Sequence, residues 1–183
     1  MTYLFAKVGW DEFYDGSLLP QGHFRAPSLS GEAYERYNFK DVNGRVYGHV
    51  PPISRFRRPP QRSVDVLLFV AKHIASGDWR CVGFYLQPTM VRNYIDRPEY
   101  SLNRNFSLSA YRDTFKYCVQ APTSSSRRLT LIERGAYGTL RLPDTFRRPF
   151  MYAMSSGPSQ ATRDLATQAE RIVARSLEVR NRD

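Results

Sequence analysis

The segment PPISRFRRPPQRS, at 51–63, concentrates residues that suit contact with a polyanion. It holds four arginines and four prolines. Proline removes backbone donors and fixes φ, so the segment is predicted to be an extended arm rather than a helix or a central strand. Guanidinium groups grip phosphate bidentately. We expect the arginines to lie on phosphates or in a groove of DNA and the aromatic residue to wedge into the base stack; a basic loop that serves only solubility is the alternative. The residues of this arm are Arg55, Arg57, Arg58, Arg62 and Phe56.

Aromatic residues alternate with basic ones elsewhere in the chain, as in GWDEFYDG, RVYGHV and FRRPFMY. Aromatic rings stack on unpaired bases with about 1–3 kcal/mol per base. A pocket for a base flipped out of a duplex needs such walls and a few polar groups. Trp10, Tyr14, Tyr47 and Tyr85 stand beside glycines or turns, where pockets form. The alternative for each ring is a place in the core.

Residues for catalysis or metal binding are scattered. His23, His49 and His73 are isolated, and neither Cys81 nor Cys118 belongs to a paired-ligand motif. Both cysteines lie inside apolar strands, where an inert buried thiol is the default and a Cys–His pair the alternative. No carboxylate pair has the context of a general acid and base. We therefore expect no metal, no cofactor and no catalytic residue, so that this chain is not itself an enzyme.

The charge of the chain points to its partner. The net charge is +10, and lysine stands at only four of the 27 basic positions, so the other 23 are arginine. A GC-rich genome would explain the arginine preference but not the positive sign, which favours nucleic acid. No run of 18 apolar residues predicts a membrane span, and the first residues are not those of a signal peptide. Two distant cysteines fit a reduced, cytoplasmic protein.

The elements that must position these residues are mostly short strands. Residues 64–74 and 79–86 are predicted to pair as a central antiparallel hairpin through the SGD turn, and DVNG at 41–44 is another turn. A C-terminal helix is predicted over 159–180. Its apolar stripe is Ala161, Leu165, Ala169, Ile172 and Val173. Further strands are predicted at 2–10, 44–50, 114–121, 128–134 and 138–143, and one or two helical turns at 30–39.

These elements predict an α+β fold, a bent and mostly antiparallel β-barrel with peripheral helices. We expect a recognition domain over 1–154 and a C-terminal helix over 155–183 that leads to a linker or an effector domain. Its arginines are interpreted as a solvated face rather than a DNA-reading one.

The order of short motifs resembles a bacterial domain found ahead of HNH-type nucleases. The motifs are LFAKVGWDEFYDG, YNF, NGRVYGHVPP, WRCVGFYLQPTMV and RPFMYA, and the resemblance covers roughly 3–154. Phe84 stands where the family usually has tryptophan, and the arm at 51–63 is unusually rich in arginine. Such domains are similar to the PUA, EVE and SRA-like readers of modification-dependent (type IV) restriction systems, which hold a flipped, modified base in an aromatic cage.

The resemblance implies motif positions in this sequence, which with Tyr14 form the candidate base pocket. They are Trp10, Asn38, Phe39, Tyr47, His49, Phe84 and Tyr85. By their chemistry, Trp10, Tyr47 and Tyr85 are candidate stacking walls. Asn38 is a candidate to read a base edge, because an amide offers both donor and acceptor.

The resulting hypothesis is a reader of modified double-stranded DNA that serves as the specificity module of a restriction endonuclease in phage defence. The nuclease would be fused or associated. Methyl-, hydroxymethyl- and glucosylated cytosine and phosphorothioate marks all remain open. The rivals are an RNA-binding module of the same fold superfamily, a nuclease or base-modifying enzyme, and a small-molecule-binding barrel.

Overall fold

The computed structural model describes residues 1–9, 37–50, 64–98, 116–142 and 150–180. Its strands are β1 (Thr2–Lys7), β2 (Asp41–Val42), β3 (Arg45–Gly48), β4 (Val66–Lys72), β5 (Trp79–Leu86), β6 (Thr89–Asp96), β7 (Lys116–Pro122), β8 (Ser126–Arg128), β9 (Thr139–Leu140) and β10 (Phe150–Met154). Its α-helices are α1 (Leu131–Ala136) and α2 (Gln160–Arg180). Trp10, Tyr14 and the whole arm at 51–63 lie outside the described residues, as does most of the predicted helix at 30–39.

The described strands form two sheets, which we call sheet A and sheet B. Sheet A has the order β10-β1-β4-β5-β8, with β9 also pairing with β5, and only its β1–β4 pair is parallel. Sheet B has the order β2-β3-β7-β6 and is antiparallel throughout. Register shifts in β4–β5 and β6–β7 bend the strands. The α+β class and the mostly antiparallel, curled sheet arrangement are thereby confirmed.

The predicted turns are in place. The hairpin β4–β5 is antiparallel, and its connection is closed by the His73 amide donating to the Asp78 carbonyl at 2.7 Å. Asn43 and Gly44 both have positive φ, 53° and 78°, which is the conformation of the two-residue turn that joins β2 to β3.

Two hydrophobic clusters cover the two faces of sheet A. Leu67 and Phe69 of β4 belong to the cluster shared with sheet B. Leu68 and Val70 belong to the cluster shared with α2. Because successive side chains of a strand point to opposite faces, a strand covered on both sides is an uninterrupted apolar run, as VLLFVA is here.

The helix predicted at 159–180 is confirmed as α2, and it shares its core with sheet A. The amide of Thr162 donates to Ser159 Oγ at 3.2 Å, which caps the first turn. Leu165, Ala169 and Ile172 are buried as predicted. Ala161 is exposed instead, and Ser176 is buried.

The strand prediction for 128–134 is wrong. The strand ends at Arg128, and α1 follows with a capping box in which Thr130 and Glu133 satisfy each other's backbone amides. The sequence TLIE carries this signal, but the alternation of RLTLIER concealed it. The strand predicted at 138–143 is reduced to the two residues of β9, and β6 and β10 were not predicted.

Candidate nucleic-acid interface

Asn38 acts as a clamp on the backbone of His49. It is fully buried. Its Nδ2 donates to the His49 carbonyl at 3.2 Å, and its Oδ1 accepts from the His49 amide at 2.7 Å. The side chain thus pairs with the backbone just beyond β3 as an additional strand would. Base-edge reading by Asn38 stays a prediction, and one donor and one lone pair of its amide are already engaged.

Tyr85 of sheet A contacts both Asn38 and Phe39 and fixes their position. The Tyr85 hydroxyl donates to the Asn38 carbonyl, and burial raises the pKa of this fully buried tyrosine. The Phe39 ring lies edge-on to Tyr85, with centroids 5.5 Å apart, and to Phe69 at 5.3 Å. Gly83 is required beneath it, because a Cβ there would lie 2.3 Å from Phe39 Cζ.

His49 stacks on Tyr94, a residue that sequence reasoning missed. The two rings are nearly parallel, 14° apart, with centroids separated by 4.7 Å. His49 Nδ1 lies 3.1 Å from the Lys116 carbonyl and Nε2 lies 3.2 Å from the Tyr94 hydroxyl. Nδ1 must donate to the carbonyl, so in the neutral ring Nε2 accepts from the hydroxyl.

Arg97 was also missed by the reasoning from sequence. Its side chain is only 1% exposed, and its Nη1 donates to the Tyr37 carbonyl at 3.2 Å. Its guanidinium lies 5.7 Å from the Tyr37 ring centroid, and Lys40 Nζ lies 5.6 Å from the same centroid. Tyr37 therefore has two cations at its ring, a contact worth about 0.5–2 kcal/mol for each.

These residues form one unit, which we call the His49 corner. It comprises Tyr37–Lys40, His49, Tyr85, Tyr94, Arg97 and Lys116. The structure brings four of the predicted pocket residues together here: Asn38, Phe39, His49 and Tyr85.

Two other predicted pocket residues lie elsewhere. Phe84 directly precedes Tyr85 in β5. Its side chain therefore points to the opposite face of sheet A, into the cluster shared with α2. Tyr47 packs edge-on against Tyr117, with ring centroids 4.8 Å apart. Burial and the neighbouring Tyr47 raise the pKa of Tyr117, while Arg45 opposes the shift.

Three long segments join the described chain at the His49 corner. The arm at 51–63 begins directly after Val50, whose carbonyl accepts from the Cys118 thiol at 2.9 Å. Residues 10–36 lead into Tyr37, and residues 99–115 leave near Arg97 and return at Lys116. The arginine-rich arm is therefore attached one residue away from the stacked His49.

Within the described residues, no group of three or more histidine, cysteine or acidic side chains is placed to hold a metal ion. Both cysteines are free and buried, and burial raises the pKa of Cys81 to about 12 and that of Cys118 to about 11. Neither α1 nor α2 has the length and apolar character needed to cross a bilayer.

Comparison of the chain with protein-family models, with curated proteins and with solved structures found no match in any of the three.

Proposed function

We propose that this chain is a DNA-binding reader domain that recognises modified duplex DNA at the His49 corner. The observation that carries the proposal is the junction at Val50, where a segment with four arginines starts beside a cluster of aromatic and cationic side chains. Phosphate contacts position a protein on DNA, and a pocket supplies specificity. Here the arginine-rich arm at 51–63 begins at the same corner as the aromatic and cationic cluster.

The roles within the corner follow from the contacts. Arg55, Arg57, Arg58 and Arg62 would lie along phosphates, with Phe56 at the point where a base leaves the stack. The half-buried Tyr94, which stacks on the buried His49, and the half-buried Tyr37 would offer aromatic surface to that base. Asn38 and Tyr85 hold the backbone beneath them in one conformation.

The finer features of this proposal rest on the resemblance described above. They are the PUA, EVE or SRA-like barrel, the modified base as ligand, and a partner nuclease that cuts the DNA. The net charge of +10 supports a polyanionic partner independently of any family. The chain itself would bind and not catalyse.

The first test is a competition binding assay at about 0.15 M salt, where weak nonspecific contacts are reduced. Unmodified duplex competes with matched duplexes that carry methyl-, hydroxymethyl- or glucosyl-hydroxymethylcytosine or a phosphorothioate, and with a single-stranded RNA. A preference of about tenfold or more, about 1.4 kcal/mol, for one modified duplex supports the reader. Equal binding to all duplexes leaves a nonspecific DNA clamp, and tighter binding to RNA replaces the proposal with an RNA-binding module.

The arm is tested with the fourfold variant R55A/R57A/R58A/R62A. If each arginine holds one phosphate, the slope of log K against log salt should fall by up to about 3.6, at about 0.9 per contact. The loss should be the same for every duplex, because phosphate contacts carry no sequence information. Unchanged affinity at low salt would remove the arm from the interface.

A further inference from the structure

A second basic surface lies on the other side of sheet A from the His49 corner. A groove of about 870 Å³ runs between α2 and the segment that contains β9. We call it the α2 groove. Its polar lining is Thr139, Arg141, Asp164, Thr167, Gln168 and Arg171. Arg171 lies on α2 and Arg141 on the segment that follows β9, so each of the two elements contributes one arginine to the lining.

The wall that carries Arg141 is fixed to the helix. Gln168 Oε1 accepts from the Arg141 amide at 2.8 Å, and Gln168 Nε2 lies 3.5 Å from the Arg141 carbonyl. A side chain on α2 thus pairs with the backbone that follows β9. The groove therefore has a defined edge, although both arginines are exposed.

The acidic residue of the lining is already engaged. Asp164 Oδ1 accepts from Gln160 Nε2 at 2.6 Å. Asp164 keeps its negative charge, but the guanidinium groups of Arg141 and Arg171 outnumber it, and the hydroxyl of Thr139 adds a neutral donor. Guanidinium and hydroxyl groups are side-chain donors that contact phosphate and sugar oxygens in nucleic-acid complexes.

Further cations continue the positive surface along the end of sheet A. Lys72 is the register partner of Trp79, and Trp79 packs against the cluster that sheet A shares with α2. Lys7 Nζ lies 5.0 Å from the Trp79 ring centroid. A surface that extends beyond one groove in this way fits an extended polyanion better than a single small anion.

We propose that the α2 groove binds the phosphodiester backbone of duplex DNA, as a contact separate from the His49 corner. The proposal rests on the proposed DNA-binding function and adds a second place of contact. The sequence pattern favours a solvated face for the arginines of the C-terminal helix. The groove singles out Arg171, together with Arg141 from outside the helix, as the pair that contacts DNA.

The test compares two double variants that remove the same charge. R141A/R171A removes the two cations of the α2 groove, and R45A/R175A removes two exposed arginines that do not line it. Both should fold, since all four side chains are exposed. Binding of one unmodified duplex is measured from about 0.05 to 0.3 M salt by fluorescence anisotropy, with polyglutamate as a competing probe.

The expected result is a salt slope lower by up to about 1.8 for R141A/R171A, and an affinity at 0.1 M weaker by up to about 60-fold. R45A/R175A should keep the slope of the wild type. If the arm and the groove contact different phosphates, combination with the arm variant should add the two losses in log K.

Two outcomes overturn the inference while leaving the proposed function in place. One is an R141A/R171A slope equal to that of the control variant. The other is polyglutamate that binds the wild type in preference to DNA and loses binding only in R141A/R171A, which would assign the groove to an acidic protein. Failure of the wild-type chain to bind any duplex would overturn the proposed function and this inference together.

Discussion

The Asn38 clamp makes a quantitative prediction for N38A. The substitution removes Oδ1, which accepts from the buried His49 amide at 2.7 Å, and Nδ2, which donates to the His49 carbonyl at 3.2 Å. Removing one partner of a buried hydrogen bond costs about 1–3 kcal/mol. With partial relaxation we expect N38A to lose roughly 2–4 kcal/mol of unfolding free energy. For a chain of this size that is a fall in Tm of roughly 5–15 °C.

Two companion variants calibrate the measurement by urea unfolding. Y85F loses only the hydroxyl that donates to the Asn38 carbonyl and keeps its packing, so a loss of about 1 kcal/mol is expected. N38D keeps an acceptor for the His49 amide but sets an oxygen against the His49 carbonyl in a buried place. It should be at least as destabilised as N38A.

The order Y85F, N38A, N38D in increasing loss therefore tests the reasoning. An N38A protein within about 0.5 kcal/mol of the wild type would refute the clamp, since surface-like changes have effects of that size. DNA binding separates the clamp from base reading. If Asn38 only holds the backbone, N38A weakens binding to modified and unmodified duplexes alike at a temperature where the variant is folded.

Three further predictions concern packing and ionisation. G83A should lose roughly 1–3 kcal/mol of unfolding free energy, because its Cβ would lie 2.3 Å from Phe39 Cζ and 2.5 Å from the Arg127 carbonyl oxygen. The control G135A in α1 meets nothing closer than 3.9 Å and should be neutral or stabilising. Equal thermal melts for the two variants would contradict this. Burial raises the pKa of Glu133, but bonds from Thr130 and Tyr137 and the charge of Arg127 outweigh it and leave the pKa lowered. The stability from Glu133 is therefore present above its unfolded-state pKa and is lost as the pH falls through its folded-state pKa. E133Q should reduce the drop in the urea midpoint between pH 6 and about pH 3. An unchanged drop would count against the contacts of Glu133 with Thr130, Tyr137 and Arg127 as its cause. Because burial raises the pKa of Cys81 to about 12 and that of Cys118 to about 11, neither thiol should react with Ellman's reagent at pH 8 until urea unfolds the chain, and rapid labelling of native protein would contradict their burial.

Prediction from sequence succeeded where the signal was local. The run VDVLLFVAKHI followed by SGD and WRCVGFYL determined a hairpin, because a strand covered on both faces is apolar throughout and a short glycine turn closes it. The 3.6-residue period of 160–180 determined α2. The prediction from sequence failed at 128–134, where a capping box of four residues outweighed an alternation of similar length.

The candidate site was predictable only in part for the same reason. Motif positions indicated Asn38, His49 and Tyr85, but nothing local reveals that the Asn38 side chain binds the His49 backbone eleven residues later. Nothing local in IDRPE reveals that Arg97 is buried and donates to the carbonyl of Tyr37, 60 residues earlier in the chain. The period of two could have separated Phe84 from Tyr85, since neighbours in a strand face opposite sides.

By itself, then, the sequence determined the class of fold, the central hairpin, the last helix and the positive charge that favours a polyanionic partner. These depend on composition and on contacts between residues close in the chain. The tertiary structure alone decided that His49, which shortly precedes the arm, stacks on Tyr94 and that Arg141 and Arg171 line one groove. Both arrangements join residues brought together by the pairing and packing of distant elements, and no local propensity encodes such pairs.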